Sequence, residues 1–191
     1  MKKLIAMLVS LSMMMTLTVA FAASVDADDV VGPVNNTPTT AAAEDEEEIT
    51  PMLQKTKATD EAKALTEELL AAEQDADKTA ADVFPAELAV EKDAVVQEVI
   101  SVILNPEFKA VAGQACTDTL TITADVSKAA KVRVLIGIVP ADAEEMVWFE
   151  AEKVSVEADG VTLKVTYSAE TVEAMKDAKS VTLVVLSIPA E

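Results

Sequence analysis

The chain has 191 residues, 34 of them acidic and 15 basic, with no histidine and one cysteine. A net charge of −19 repels nucleic acid and anionic membrane surfaces, so no nucleic-acid partner is expected. The missing histidine excludes the usual Ser-His-Asp and Cys-His catalytic arrangements and His-containing zinc sites, and the lone cysteine excludes an internal disulfide and a thiolate metal cluster.

The first 22 residues read as an export signal. Lys2 and Lys3 precede an uncharged apolar run from Leu4 to Phe21, and Ala20-Phe21-Ala22 is a small-x-small cleavage site. Cleavage after Ala22 gives a secreted, extracellular protein. Kept uncleaved, the same run is the one expected contact with a membrane. Cleavage removes two lysines and no acid, so the net charge moves from −19 to −21.

Residues 23–50 are expected to be a disordered acidic linker. Asp26, Asp28, Asp29, Glu44, Asp45, Glu46, Glu47 and Glu48 all precede the next base, Lys55, around a stretch rich in Pro, Thr and Asn. Such a composition buries too little apolar area to offset the entropy of ordering it.

Residues 51–84 are expected to hold one amphipathic α-helix. The segment 56–84 lacks Gly and Pro and is dense in Ala, Leu, Glu and Lys. Thr59 followed by Asp60 and Glu61 is a helix start, and Thr50-Pro51 is a second one. Ala58, Ala62, Leu65, Leu69 and Ala72 form a narrow apolar stripe. A stripe of mostly alanine needs a partner, either the domain that follows or a second copy of the helix. Asp75, Asp77, Thr79 and Asp82 resemble part of a calcium loop, but Ala80 and Ala86 stand where such a loop needs Gly and Glu. No metal site is expected.

From Pro85 to the end the period changes to two. Strands are predicted over 93–104, 118–126, 131–139, 147–158, 161–167 and 180–188, the last a central strand, with a short helix over 168–178 capped by Ser168. Within 147–158 the inward phase at Phe149 does not match that at Val154 and Val156, so a bulge or bend is expected near Glu152-Lys153. Asp159-Gly160 reads as a two-residue type I′ hairpin turn. Six or seven strands joined by short turns predict a mainly β domain over residues 85–191, an antiparallel immunoglobulin-like β-sandwich.

The stretches KVRVLIGIVP (131–140), MVWFEAEKVSVEADGVTLKVTYSAETVEAMKDAKSV (146–181) and TLVVLS (182–187) resemble an uncharacterised immunoglobulin-like domain found at the C-termini of secreted proteins of Gram-positive bacteria. The likeness covers roughly residues 95–189. It implies an exported interaction module and brings no site residues with it.

Candidate site residues are few. Four isolated glycines build no phosphate-cradling loop, and no Ser sits in a nucleophile elbow. No catalytic residue and no cofactor are expected. Trp148 and Phe149, flanked by Glu144, Glu145 and Glu150, are the candidate contact residues. Arg133, the only arginine, is expected to pair with a local carboxylate, and Cys116 to be a small buried apolar residue at the start of a strand. The leading expectation is therefore a non-catalytic binding module whose partner is a protein or glycan at the cell surface. A structural component self-associating through the 59–82 helix and a carboxylate-based hydrolase are the alternatives.

Overall fold

The structure, a computed structural model, describes residues 50–190. The expected export signal, and all of the expected acidic linker but Thr50, lie outside the described residues. The described part is mainly antiparallel β, with two sheets and two α-helices. In chain order the elements are β1 (Leu53–Lys55), α1 (Asp60–Gln74), β2 (Val95–Leu104), β3 (Cys116–Thr121), β4 (Ala129–Pro140), β5 (Val147–Glu150), β6 (Lys153–Val156), β7 (Thr162–Tyr167), α2 (Ala169–Lys176) and β8 (Ala178–Pro189). One sheet has the order β1-β2-β8-β4-β5 and the other β3-β7-β6. No described helix is long and apolar enough to cross a membrane.

Alternation along the strands builds two apolar layers. Val134, Ile136 and Ile138 of β4 and Val181, Leu183 and Val185 of β8 point toward the small sheet, where they meet Leu120, Leu163, Val165 and Tyr167. The intervening residues Leu135, Val184 and Leu186 point the other way and are covered by Leu65 and Leu69 of α1, with Phe84 beside them. The central strand β8 is buried on both faces, which is why its sequence is apolar almost throughout. A bulge between Val96 and Glu98 turns Val96 to the helix side while Ile100 and Val102 stay in the inter-sheet core. Val172 and Met175 of α2 plug that core as the chain crosses from β7 to β8.

Helix α1 starts at the Thr59 signal. The Thr59 hydroxyl accepts the Ala62 N–H at 3.2 Å, and Asp60 and Glu61 occupy the first turn. Ser101 of β2 accepts the Thr59 N–H at 3.1 Å, and Lys179 pairs with Glu61 at 2.9 Å, so the helix is tied to the sheet it covers. Its buried stripe is Ala62, Leu65, Leu69 and Ala72, packed within its own chain.

Four local expectations are corrected. Thr50-Pro51 starts no helix; Met52 and Leu53 are buried and the chain forms β1, held by the Asn105 N–H to the Met52 carbonyl at 2.8 Å and the Asn105 side-chain amide to the Pro51 carbonyl at 2.9 Å. The helix ends at Gln74 rather than running to Pro85. Asp75 folds back to accept the Asp77 N–H at 3.1 Å, and two short 3-10 turns, Ala80–Val83 and Ala86–Leu88, follow. The hairpin at Asp159-Gly160 is present but not as type I′, which needs positive φ at both central residues. Only Gly160 has it, at +73°, and the turn is closed from Glu157 by the Gly160 N–H at 3.0 Å. The second predicted strand, 118–126, runs instead from Cys116 to Thr121, because the chain bends at Thr123-Ala124.

Candidate functional site

The run from Val147 to Val156 is where the sequence phase broke, and the reason is a change of sheet. Ala151 donates its N–H to the Val134 carbonyl in the large sheet at 3.0 Å, and the next residue, Glu152, donates to the Thr166 carbonyl in the small sheet at 2.9 Å. Residues 147–150 and 153–156 are therefore one stretch of chain that forms the outer edge of both sheets.

Trp148 and Phe149, the candidate contact residues, lie on this edge and point in opposite directions. Phe149 packs against the inter-sheet core. Trp148 joins the helix-side layer and meets Phe84 edge to face, with centroids 5.2 Å apart and planes at 88°. Opposite Trp148 on β4 is Gly137, where an added Cβ would displace the Met146 side chain and crowd the indole. Both rings are half-buried and used for internal packing. What the edge leaves open is Val147, 47% exposed, and Val156, 36% exposed, with Asp142, Glu144, Glu145 and Glu152 exposed beside them. Because Ala151 bonds inward to β4, alternation in an antiparallel ladder turns the backbone groups of Trp148 and Glu150 outward.

Glu150 fixes this edge to the body through Arg133, which is 5% exposed. The guanidinium donates to both Glu150 oxygens at 2.7 and 2.8 Å, to Glu91, and to the carbonyls of Leu88 at 2.6 Å and Ala89 at 3.1 Å. All five of its N–H groups are used. Ala89 adopts a left-handed backbone, φ +44°, at the turn that brings those carbonyls round. The expected carboxylate partner of Arg133 is thus two carboxylates and a loop, and the arrangement is structural.

The opposite edges are closed. Leu53 of β1 donates its N–H to Asp118 of β3 at 3.0 Å, and the Lys55 ammonium reaches the Thr121 carbonyl at 3.0 Å. Burial raises the Asp118 carboxyl to about 6, against the N–H bonds from Thr119, Leu53 and Met52 that favour its charged form. A shifted carboxyl is one mark of a catalytic site. The crevice it lines, however, measures about 10 Å³, room for about one water. The sequence did carry a signal for Asp118: it falls in the same phase as Leu120 and Ile122, a carboxylate on an apolar face. Cys116 is half-buried, and burial, then the Asp118 charge, push its thiol up, away from the reactive thiolate. Among the described residues no group of three or more Cys, Asp or Glu side chains is placed to hold a metal ion.

No family model, no curated protein and no solved structure matches the chain.

Proposed function

We propose that the protein is an exported, non-catalytic contact module at the bacterial cell surface, an immunoglobulin-like sandwich carried on a disordered acidic linker, that takes up an extended polypeptide along the edge from Val147 to Val156. The observation that carries this reading is the asymmetry of the edges. β1 and β3 are bonded to each other across the seam, whereas the β5 and β6 side presents outward backbone groups and two exposed valines. An open edge of this kind adds a strand from a partner, main-chain bonds giving affinity and alternate side chains giving selection. The acids around it favour a partner segment with basic residues. A polypeptide is favoured over a glycan because the Trp148 ring packs on Phe84 and offers no open platform. Export is supported by the run from Lys2 to Ala22. Self-association through the 59–82 helix has less support, since its apolar stripe packs on its own sheet.

Val147→Lys tests this reading. A lysine on an edge strand opposes pairing without disturbing a half-exposed site. Purified protein should bind surface fractions of the producing cells, and the variant should bind at least tenfold more weakly with an unchanged thermal midpoint. Equal binding by the two proteins removes the edge from the account. Failure of the unaltered protein to bind removes the contact role.

A further inference from the structure

The connection from β4 to β5, Ala141 to Glu145, is mostly exposed, and Met146 is the residue that brings the chain back to the sheet. Its side chain is seated on Gly137. A Cβ at Gly137 would meet the Met146 sulfur first, then the Met146 Cγ and the indole of Trp148. The sulfur therefore lies over a bare Cα with a carbon edge of the indole beside it, on the helix-facing side of the sheet. A polarizable thioether makes this kind of contact well.

The same sulfur differs from its counterparts in reach. Among the described residues the methionines are Met52, Met146 and Met175. Met52 is fully buried and Met175 is 3% exposed, both in the inter-sheet core, whereas Met146 is half-buried. Met146 also immediately precedes Val147, the exposed residue with which the open edge begins.

We propose that Met146 is a site of reversible oxidation by peroxides, and that its sulfoxide releases the start of β5 from the body. A sulfur lone pair attacks one peroxide oxygen, and an S–O bond forms as the O–O bond breaks. The second oxygen takes the proton and leaves as water, or as an alcohol from an organic peroxide. Sulfur is oxidised by two electrons and the peroxide is reduced by two. The product carries a polar oxygen where the seat presents a bare Cα and a carbon edge, neither of them a hydrogen-bond donor. The side chain trades the notch for water, Trp148 loses cover, and the first residues of β5 lose their anchor. A methionine sulfoxide reductase supplied with a dithiol restores the sulfide, the dithiol becoming a disulfide and the oxygen leaving as water. Oxidation also closes the edge from Val147 to Val156 to a partner, a consequence that rests on the function proposed above.

Hydrogen peroxide applied to the purified full chain tests the site, with peptide mass spectrometry following each methionine. Met146 should be oxidised roughly tenfold faster than Met52 and Met175. Oxidation should shift the emission of Trp148, the only tryptophan, to longer wavelength. Hydrogen-exchange protection of the Phe149 amide, which faces β4 by the alternation set at Ala151, should fall about tenfold while that of Val184 in β8 holds. The reductase should reverse both changes, and Met146→Leu should show neither on peroxide treatment. Equal oxidation rates at the three methionines overturn the proposal, as does a Met146 sulfoxide with unchanged Trp148 emission and Phe149 protection. Weakened binding to surface fractions on oxidation supports both the site and the contact edge. Full binding by a protein that shows both physical changes supports the oxidation site and counts against the edge.

Discussion

Arg133→Met should lower the free energy of unfolding by about 3 kcal/mol, read from urea denaturation, the low end of the range for breaking a buried ion pair. The low end applies because the carboxylates are not fully buried: the Glu91 and Glu150 side chains remain 34% and 39% exposed, so water re-solvates part of what the guanidinium leaves behind. The carbonyls of Leu88 and Ala89 lose their donors outright, and Ala89 keeps its left-handed backbone with less to hold it there. Arg133→Lys should recover less than half of the loss, because an ammonium cannot present two parallel N–H groups to Glu150, one to Glu91 and two to the Leu88 and Ala89 carbonyls. Glu91 records the same clasp. Burial opposes its charge, but hydrogen bonds from Lys131 and Arg133 outweigh it and bring the carboxyl down to about 2. Its contribution is present above the ordinary value of 4.5 and is lost as pH falls toward 2, so acid should narrow the gap between the Arg133 variants and the unaltered protein. A cost below 1 kcal/mol for Arg133→Met would mean that the clasp is incidental.

Leu69→Ala should cost about 3 kcal/mol, the middle of the range for a buried leucine. Leu69 is fully buried at the centre of the layer formed by Leu65, Phe84, Val96, Val184 and Leu186. In a helix held in reserve for a second chain, the same change would cost an isolated protomer under 1 kcal/mol and would instead shift an association equilibrium. Denaturation together with sedimentation velocity separates these outcomes. A large loss of stability in a protein that stays monomeric supports a helix that belongs to its own sheet; a small loss with a dissociating dimer reverses that assignment.

Much of the β architecture was legible because burial imposes a period of two on every strand. Leu120, Val134, Ile136, Leu163 and Val165 declared their faces in the sequence, and the unbroken apolar run of β8 declared a strand covered on both sides. What stayed hidden depended on contacts between distant residues. Local preference at Thr50-Pro51 pointed to a helix start, and burial of Met52 and Leu53 against strands about fifty residues away overrode it. The phase break near Glu152 was visible, yet nothing local distinguishes a bulge from a chain that leaves one sheet for another. At the candidate site, Trp148 and Phe149 stood out by residue type, and their half-buried packing came only with Phe84 and Gly137 in place. Asp118 shares the apolar phase of Leu120 and Ile122, but at the start of a strand one acid in that phase looks like a solvated end residue until β1 packs beside it.

Photo-crosslinking on the surface of the cells that make the protein tests the contact edge most directly. A photoreactive residue is placed in turn at Val147, Val156, Gln54 on β1 and Glu67 on α1, all exposed. Discrete adducts from Val147 and Val156, absent from Gln54 and Glu67, are the expected result. Adducts concentrated at Gln54 or Glu67, or equal at all four positions, would contradict a role for the edge where the chain passes from one sheet to the other.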